Sequence, residues 1–82
     1  MDYLLTQHAR DALEKRQIAV VWVEQVLGCP EWTEPDPVDA ALGHRLAAIP
    51  DFGNGVLRVI VNTSATPPRV ITAYFDRRRT KR

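Results

Sequence analysis

Arg58, Thr72 and Tyr74 bring a guanidinium, a hydroxyl and an aromatic ring to two strand-like segments, "VLRVIVN" and "RVITAYF". If these segments pair, strand alternation puts the three on one face and leaves Leu57, Val59, Val61, Ile71 and Phe75 to face a core. Such a face holds a phosphate on the arginine while a base stacks on the ring, and it equally describes an ordinary solvated sheet surface. His8, in "LTQHARDALEKR", adds an imidazole, the side chain best suited to proton transfer near neutrality.

Helix geometry limits what His8 can join. At about 100° per residue, His8 and Arg10 point about 200° apart and cannot enter one pocket, and Lys15 lies within about 20° of His8 but about 10 Å further along the axis. His8 sits at the edge of the apolar stripe of Leu5, Ala9, Ala12 and Leu13, within reach of a sheet rim. Arg16 falls on the stripe itself and must snorkel out or find a partner. Metal chemistry is poorly served: His8 and His44 are far apart in sequence, and Asp36 and Asp39 lie in a proline-rich turn with no histidine beside them. Cys29, between Gly28 and Pro30, has no evident base and reads as a small buried or half-buried residue, while "GNG" is a hairpin turn and not a phosphate loop. No metal and no cofactor are expected.

The elements that must position these groups fit one small unit. A chain of 82 residues forms a single domain, 1–82, and 45% apolar with 26% charged residues is the composition of a folded globular chain. No run reaches the roughly 20 apolar residues of a membrane span, and "MDYLLTQH" lacks the basic start and apolar stretch of a signal peptide, so a cytoplasmic location is expected. One cysteine cannot form an internal disulfide, in keeping with a reducing compartment.

The net charge of +1 hides an asymmetry, for residues 1–40 carry three basic and eight acidic side chains and residues 41–82 carry eight and two. Either one end of the surface suits a polyanion or an acidic partner, or the acidic helices pack beside the basic strands. The tail "RRRTKR", residues 77–82, places Arg77, Arg78, Arg79, Lys81 and Arg82 together; it reads as flexible and able to bind phosphates by counterion release.

Along the chain, Thr6 is a good N-cap for a helix running to Arg16. A second helix is expected from about Ala19 to Leu27, with Val20, Val23, Val26 and Leu27 on one stripe and Gly28 as its stop, although "AVVWV" is β-branched enough to leave a strand open. An acidic connector rich in proline follows, with a short strand around Glu31 to Glu34 that the prolines keep from a central position. Strands are expected at His44 to Ile49, Val56 to Asn62 and Arg69 to Phe75, separated by the turn signals "PDFGNG" and "TSATPP". The expected fold class is α+β, two N-terminal helices packed on one face of a three- to four-stranded antiparallel sheet.

The order of "HARDALEKRQI", "VEQVLGCPE", "VLRVIVNT" and "VITAYFDRR" resembles the bacterial domain-of-unknown-function family 4258 over nearly the whole chain. Two features depart from that pattern: Ala19 stands where a helix cap is expected, and the connector "WTEPDPVDAALG" is not diagnostic. The resemblance implies a fold similar to small ribonuclease-like toxins of the RelE and barnase-colicin type, and it marks His8, Arg10, Arg16, Arg58, Thr72 and Tyr74 as the matching positions.

Two readings follow. In the first, the chain is a metal-independent, toxin-like endoribonuclease: a base takes the proton of a 2′-hydroxyl, that oxygen attacks the adjacent phosphorus, and an acid protonates the leaving oxygen. His8 is then the acid or base, Arg16 and Arg58 stabilise the phosphate charge, and Thr72 and Tyr74 complete the catalytic set. Arg10, Arg45, Arg77, Arg78 and Arg79 hold the RNA, and a small acidic antitoxin protein is the inhibiting partner. In the second reading the chain is a non-catalytic module that binds nucleic acid or another protein through its basic sheet edge.

Overall fold

The computed structural model describes residues 2–80. Helix α1 spans Gln7–Arg16 and begins where its cap dictates: Thr6 is extended, and its Oγ1 accepts a hydrogen bond from the Ala9 N–H at 3.0 Å. The same hydroxyl donates to the Ile71 carbonyl at 3.4 Å, so the cap also ties the helix to the sheet. Thr6→Ala is expected to cost about 1 kcal/mol, read as a lower urea midpoint at unchanged slope. At the other end Gln17 adopts the left-handed conformation (φ 55°), its N–H bonds the Glu14 carbonyl, and the Ile18 N–H bonds the Leu13 carbonyl. This closing turn stops the helix and sends Ile18 into the core, where it is 5% exposed.

Helix α2, Val20–Gly28, forms without any side-chain cap at Ala19, and packing of Val23, Val26 and Leu27 sustains it. Val20, expected on that stripe, is 44% exposed, and Cys29, expected buried or half-buried, is exposed. Val23, Val26 and Leu27 of the expected stripe are buried, and the chain leaves the helix at Cys29 toward the edge strand Trp32–Pro35.

Among the described residues five strands form one sheet in the order β1-β5-β4-β3-β2: β1 Leu4–Leu5, β2 Trp32–Pro35, β3 Leu42–Ile49, β4 Gly55–Asn62 and β5 Arg69–Thr80. The class is α+β as expected, with two differences: there is one strand more than the largest expected number, and β1 runs parallel to β5, so the sheet is mixed. A two-residue strand carries too little sequence for a periodicity to reveal it. Pro35 is tolerated because β2 is an edge.

Both helices pack on one face. Ala9, Leu13, Ile18, Val23, Val26 and Leu27 meet Ala47, Ile49, Leu57, Val59, Val61, Val70 and Ala73 in one buried cluster. Val70, and not Ile71, joins this core. The pairs Val61↔Val70 and Ile60↔Thr72 leave Ile71 without an opposite number, and the bulge changes the phase of β5 by one residue. A second irregularity follows Phe75, where residues 75–80 of β5 span only 55–57 of β4. Asp76 Oδ1 accepts the Arg78 N–H at 3.0 Å inside that bulge. Strand structure thus continues through Thr80 where a flexible tail was expected from residue 77, while the remaining tail cations Lys81 and Arg82 lie outside the described residues.

Candidate functional site: a cationic cleft on the edge of the sheet

Beyond Arg69 and Val70, which pair with β1, the outer edge of β5 has no strand beside it among the described residues. Arg16 occupies that edge. Its Nη1 donates to the Ala73 carbonyl at 2.9 Å and to Thr72 Oγ1 at 3.2 Å, and its guanidinium carbon stands 6.0 Å from the centre of the Tyr74 ring. An arginine on the helix stripe has thereby found a backbone acceptor that a lone edge strand leaves open. Arg16, Thr72 and Tyr74 come together, although the first is distant from the others in sequence.

Arg16 and Tyr74 border a cleft of about 600 Å³ that runs along β5, with Arg16, Arg77 and Arg79 as its cations and Ile18, Phe52, Tyr74 and Phe75 among its walls. Arg77 is exposed, and Arg79 is half-buried at the rim with its guanidinium ion-paired to Glu34. Asp76 also lines the cleft, but its carboxylate is spent on Arg58. The volume is that of a small-molecule site, and the balance of exposed charge is positive.

The face of the sheet opposite the helices holds a different arrangement. Arg58 is 6% exposed and donates from Nε and Nη2 to Asp76 Oδ2 at 3.1 and 2.7 Å, from Nη1 to Glu34 Oε1 at 2.9 Å, and from Nη1 to His44 Nδ1 at 2.7 Å. A guanidinium has no acceptor, so His44 Nδ1 must accept. The ring proton then sits on Nε2, which donates to Asp36 Oδ1 at 2.7 Å. His44 is a neutral link in a chain running from the acidic connector to the middle of the sheet.

Both aspartates are held below the usual carboxylate range. For Asp76 the hydrogen bonds from Arg58 outweigh burial, and the Arg78 N–H adds to them. For Asp36 the Asp39 N–H contributes most, followed by His44 and the Val38 N–H.

The other expected site residues are scattered. Arg58 shares its sheet face with Thr72 and Tyr74 through the pairs Arg58↔Tyr74 and Ile60↔Thr72, yet it is closed over and fully engaged instead of open. His8 is exposed, without a partner for its imidazole among the described residues, about 12 Å along the axis from Arg16. Arg10 is exposed on α1 beside a separate hollow with Leu13 and Gln17. Arg45 points to the helix side, where it donates to the Leu27 carbonyl at 3.1 Å and neutralises the C-terminal end of α2. Arg78 is 86% exposed and lies 3.6 Å from Asp76 Oδ1.

Glu34, Asp36, His44 and Asp76 had no role in the pattern of motifs. The signal available was Asp76, two residues beyond Tyr74 in a strand otherwise short of acids, which needs a cation on the facing strand.

Helices on one face of a mixed sheet, a buried ionic network on the other and a cationic cleft on the β5 edge define a small α+β domain built around its last strand. The chain belongs to the family described as domain of unknown function DUF4258, which matches residues 5–75. No curated protein and no solved structure matches it. The family match includes Arg16, Arg58, Thr72 and Tyr74 and ends at Phe75, so Asp76 and the cations at 77–79 lie outside the matched region.

Proposed function

We propose that this chain binds RNA, with the strand lying in the cleft along the outer edge of β5. The observation that carries the reading is the convergence of Arg16, Arg77 and Arg79 with the Tyr74 ring around one nucleotide-sized space. Cations follow the phosphates and aromatic side chains take the bases, the combination that holds single strands without a sequence code. Arg16→Gln, Arg77→Gln and Arg79→Gln together remove up to three phosphate contacts. The slope of log affinity against log salt for a single-stranded oligoribonucleotide should then fall by about 2, at roughly 0.7 per contact. An unchanged slope in a folded triple variant overturns the reading.

The contact between Arg16 and Thr72, with Tyr74 beside them, also favours a stronger form of this function, metal-independent toxin-like cleavage in the same cleft. Arg16 then stabilises charge on the phosphate, and the Tyr74 phenol is the proton-transfer group of the cleft. A small acidic antitoxin would silence such an enzyme by occupying the cationic cleft, in competition with RNA. Labelled total RNA incubated in excess EDTA with wild type, Tyr74→Phe and His8→Ala tests this form. Cleavage lost in Tyr74→Phe places the chemistry in the cleft, cleavage lost only in His8→Ala moves it to the start of α1, and no cleavage by wild type leaves binding alone.

A further inference from the structure

The wall of the cleft contains an aromatic stack that the charge pattern does not account for. Phe52, in the turn between β3 and β4, lies on Phe75 of β5 with ring centroids 4.0 Å apart and planes 15° from parallel. Trp22 meets both rings edge-on, at 5.8 and 5.9 Å. Gly55 makes the stack possible: a Cβ there would stand 3.0 Å from Phe52 Cδ2 and 3.2 Å from Phe75 Cδ1. Close stacking would normally bury a pair of phenylalanines, yet Phe52 remains 50% exposed. Phe52 also lines the same cleft that Arg16, Arg77 and Arg79 border.

We infer that the Phe52–Phe75 stack is a platform for one unpaired nucleobase, which makes the cleft selective for single-stranded over double-stranded RNA. The inference rests on the RNA-binding reading and names the substrate class of that site. A base placed on Phe52 adds a third layer to a stack whose lower two are already ordered, and the flanking phosphates meet the arginines. In a duplex the bases are stacked on each other, so a flat ring on the protein has nothing to cap and only the cations contribute.

The test is fluorescence anisotropy with a labelled ten-nucleotide single strand, the same strand in a blunt duplex, and inorganic polyphosphate as a base-free competitor. Wild type should bind the single strand at least tenfold more tightly than the duplex. Phe52→Ala should weaken single-strand binding by about tenfold, leave competition by polyphosphate unchanged, and be rescued by Phe52→Trp. Phe52 is in an exposed turn, and a urea midpoint for each variant confirms that a folded protein is being compared.

Equal affinity for strand and duplex, or a folded Phe52→Ala that binds the strand as wild type does, overturns the platform. If at the same time the triple arginine variant has lost its salt slope, only the platform has failed. If wild type binds none of the three probes at low salt, the RNA-binding reading fails and the platform with it.

Discussion

Arg58→Met is expected to remove so much stability that an appreciable fraction of the protein unfolds at 25 °C without denaturant. Among the described residues the guanidinium is the sole partner of Oδ2 of Asp76, a residue 5% exposed, and it also satisfies Glu34 Oε1 and His44 Nδ1. Taking one partner from a buried ion pair costs about 3–5 kcal/mol, because the remaining charge stays in a poor dielectric. A chain of this size has about 4–12 kcal/mol in total. Pairing the change with Asp76→Leu removes the orphaned charge, and the double variant should recover most of the loss, since apolar replacements of a buried pair are often near neutral. Arg58→Lys should fall between the two, because an ammonium keeps the charge but cannot present the fork that grips Asp76 while reaching His44. Urea titrations followed by tryptophan fluorescence give all three midpoints. A single variant as stable as wild type would mean that the network contributes nothing to the fold.

Arg58 also shows why the site was harder to read than the fold. The elements are written locally: Thr6 before an amphipathic run, prolines in the connector, glycine and asparagine in the hairpin turn, and β-branched alternation in β4. Each of these acts within a few residues, and the observed boundaries lie close to those that the local rules give. The face assignment of β5 failed at Ile71, because a bulge depends on what the neighbouring strand offers and leaves no mark in the alternation itself.

The network is less local still. Arg58 looked like an open-face arginine because alternation reports which side of a sheet a residue is on, not what will cover it. Its partners Glu34 and His44 come from the connector side of the sheet and Asp76 from the last strand, places that only the strand order brings together. The charge asymmetry did carry part of the answer. One connector acid, Glu34, pairs with Arg58 of β4 and Arg79 of β5, in place of the helix acids expected there. Arg16, by contrast, was marked by its position on an apolar stripe, and a residue that breaks a local rule is a good pointer to a tertiary contact.

Acid should destabilise the protein in a narrow window set by Asp76 and Asp36. Both are held below the ordinary aspartate range in the folded protein, Asp76 first by Arg58 and Asp36 first by the Asp39 N–H. A carboxylate with a lowered folded pKa takes up its proton more readily in the unfolded chain, so stability falls as pH falls. The contribution is fully present above the ordinary value of about 3.9 and is lost progressively below it, until the folded groups are protonated too. The urea midpoint should therefore owe no change to these groups between neutrality and about pH 5, then drop steeply.

The groups that face the two carboxylates are the cations Arg58 and Arg78 at Asp76, and the His44 Nε2–H at Asp36. Asp76→Asn removes one titration. It should lower the midpoint at pH 7 and flatten the descent below pH 4, with the curves converging in acid. Asp36→Asn should have the smaller effect at neutral pH, because a neutral amide oxygen still accepts from the Val38 and Asp39 N–H groups that hold the connector turn. If wild type and Asp76→Asn descend in parallel, the carboxylate is not held by Arg58 in solution. The buried network would then be ruled out as what fixes the bulged end of β5, on which Arg77 and Arg79 depend for their place in the cleft.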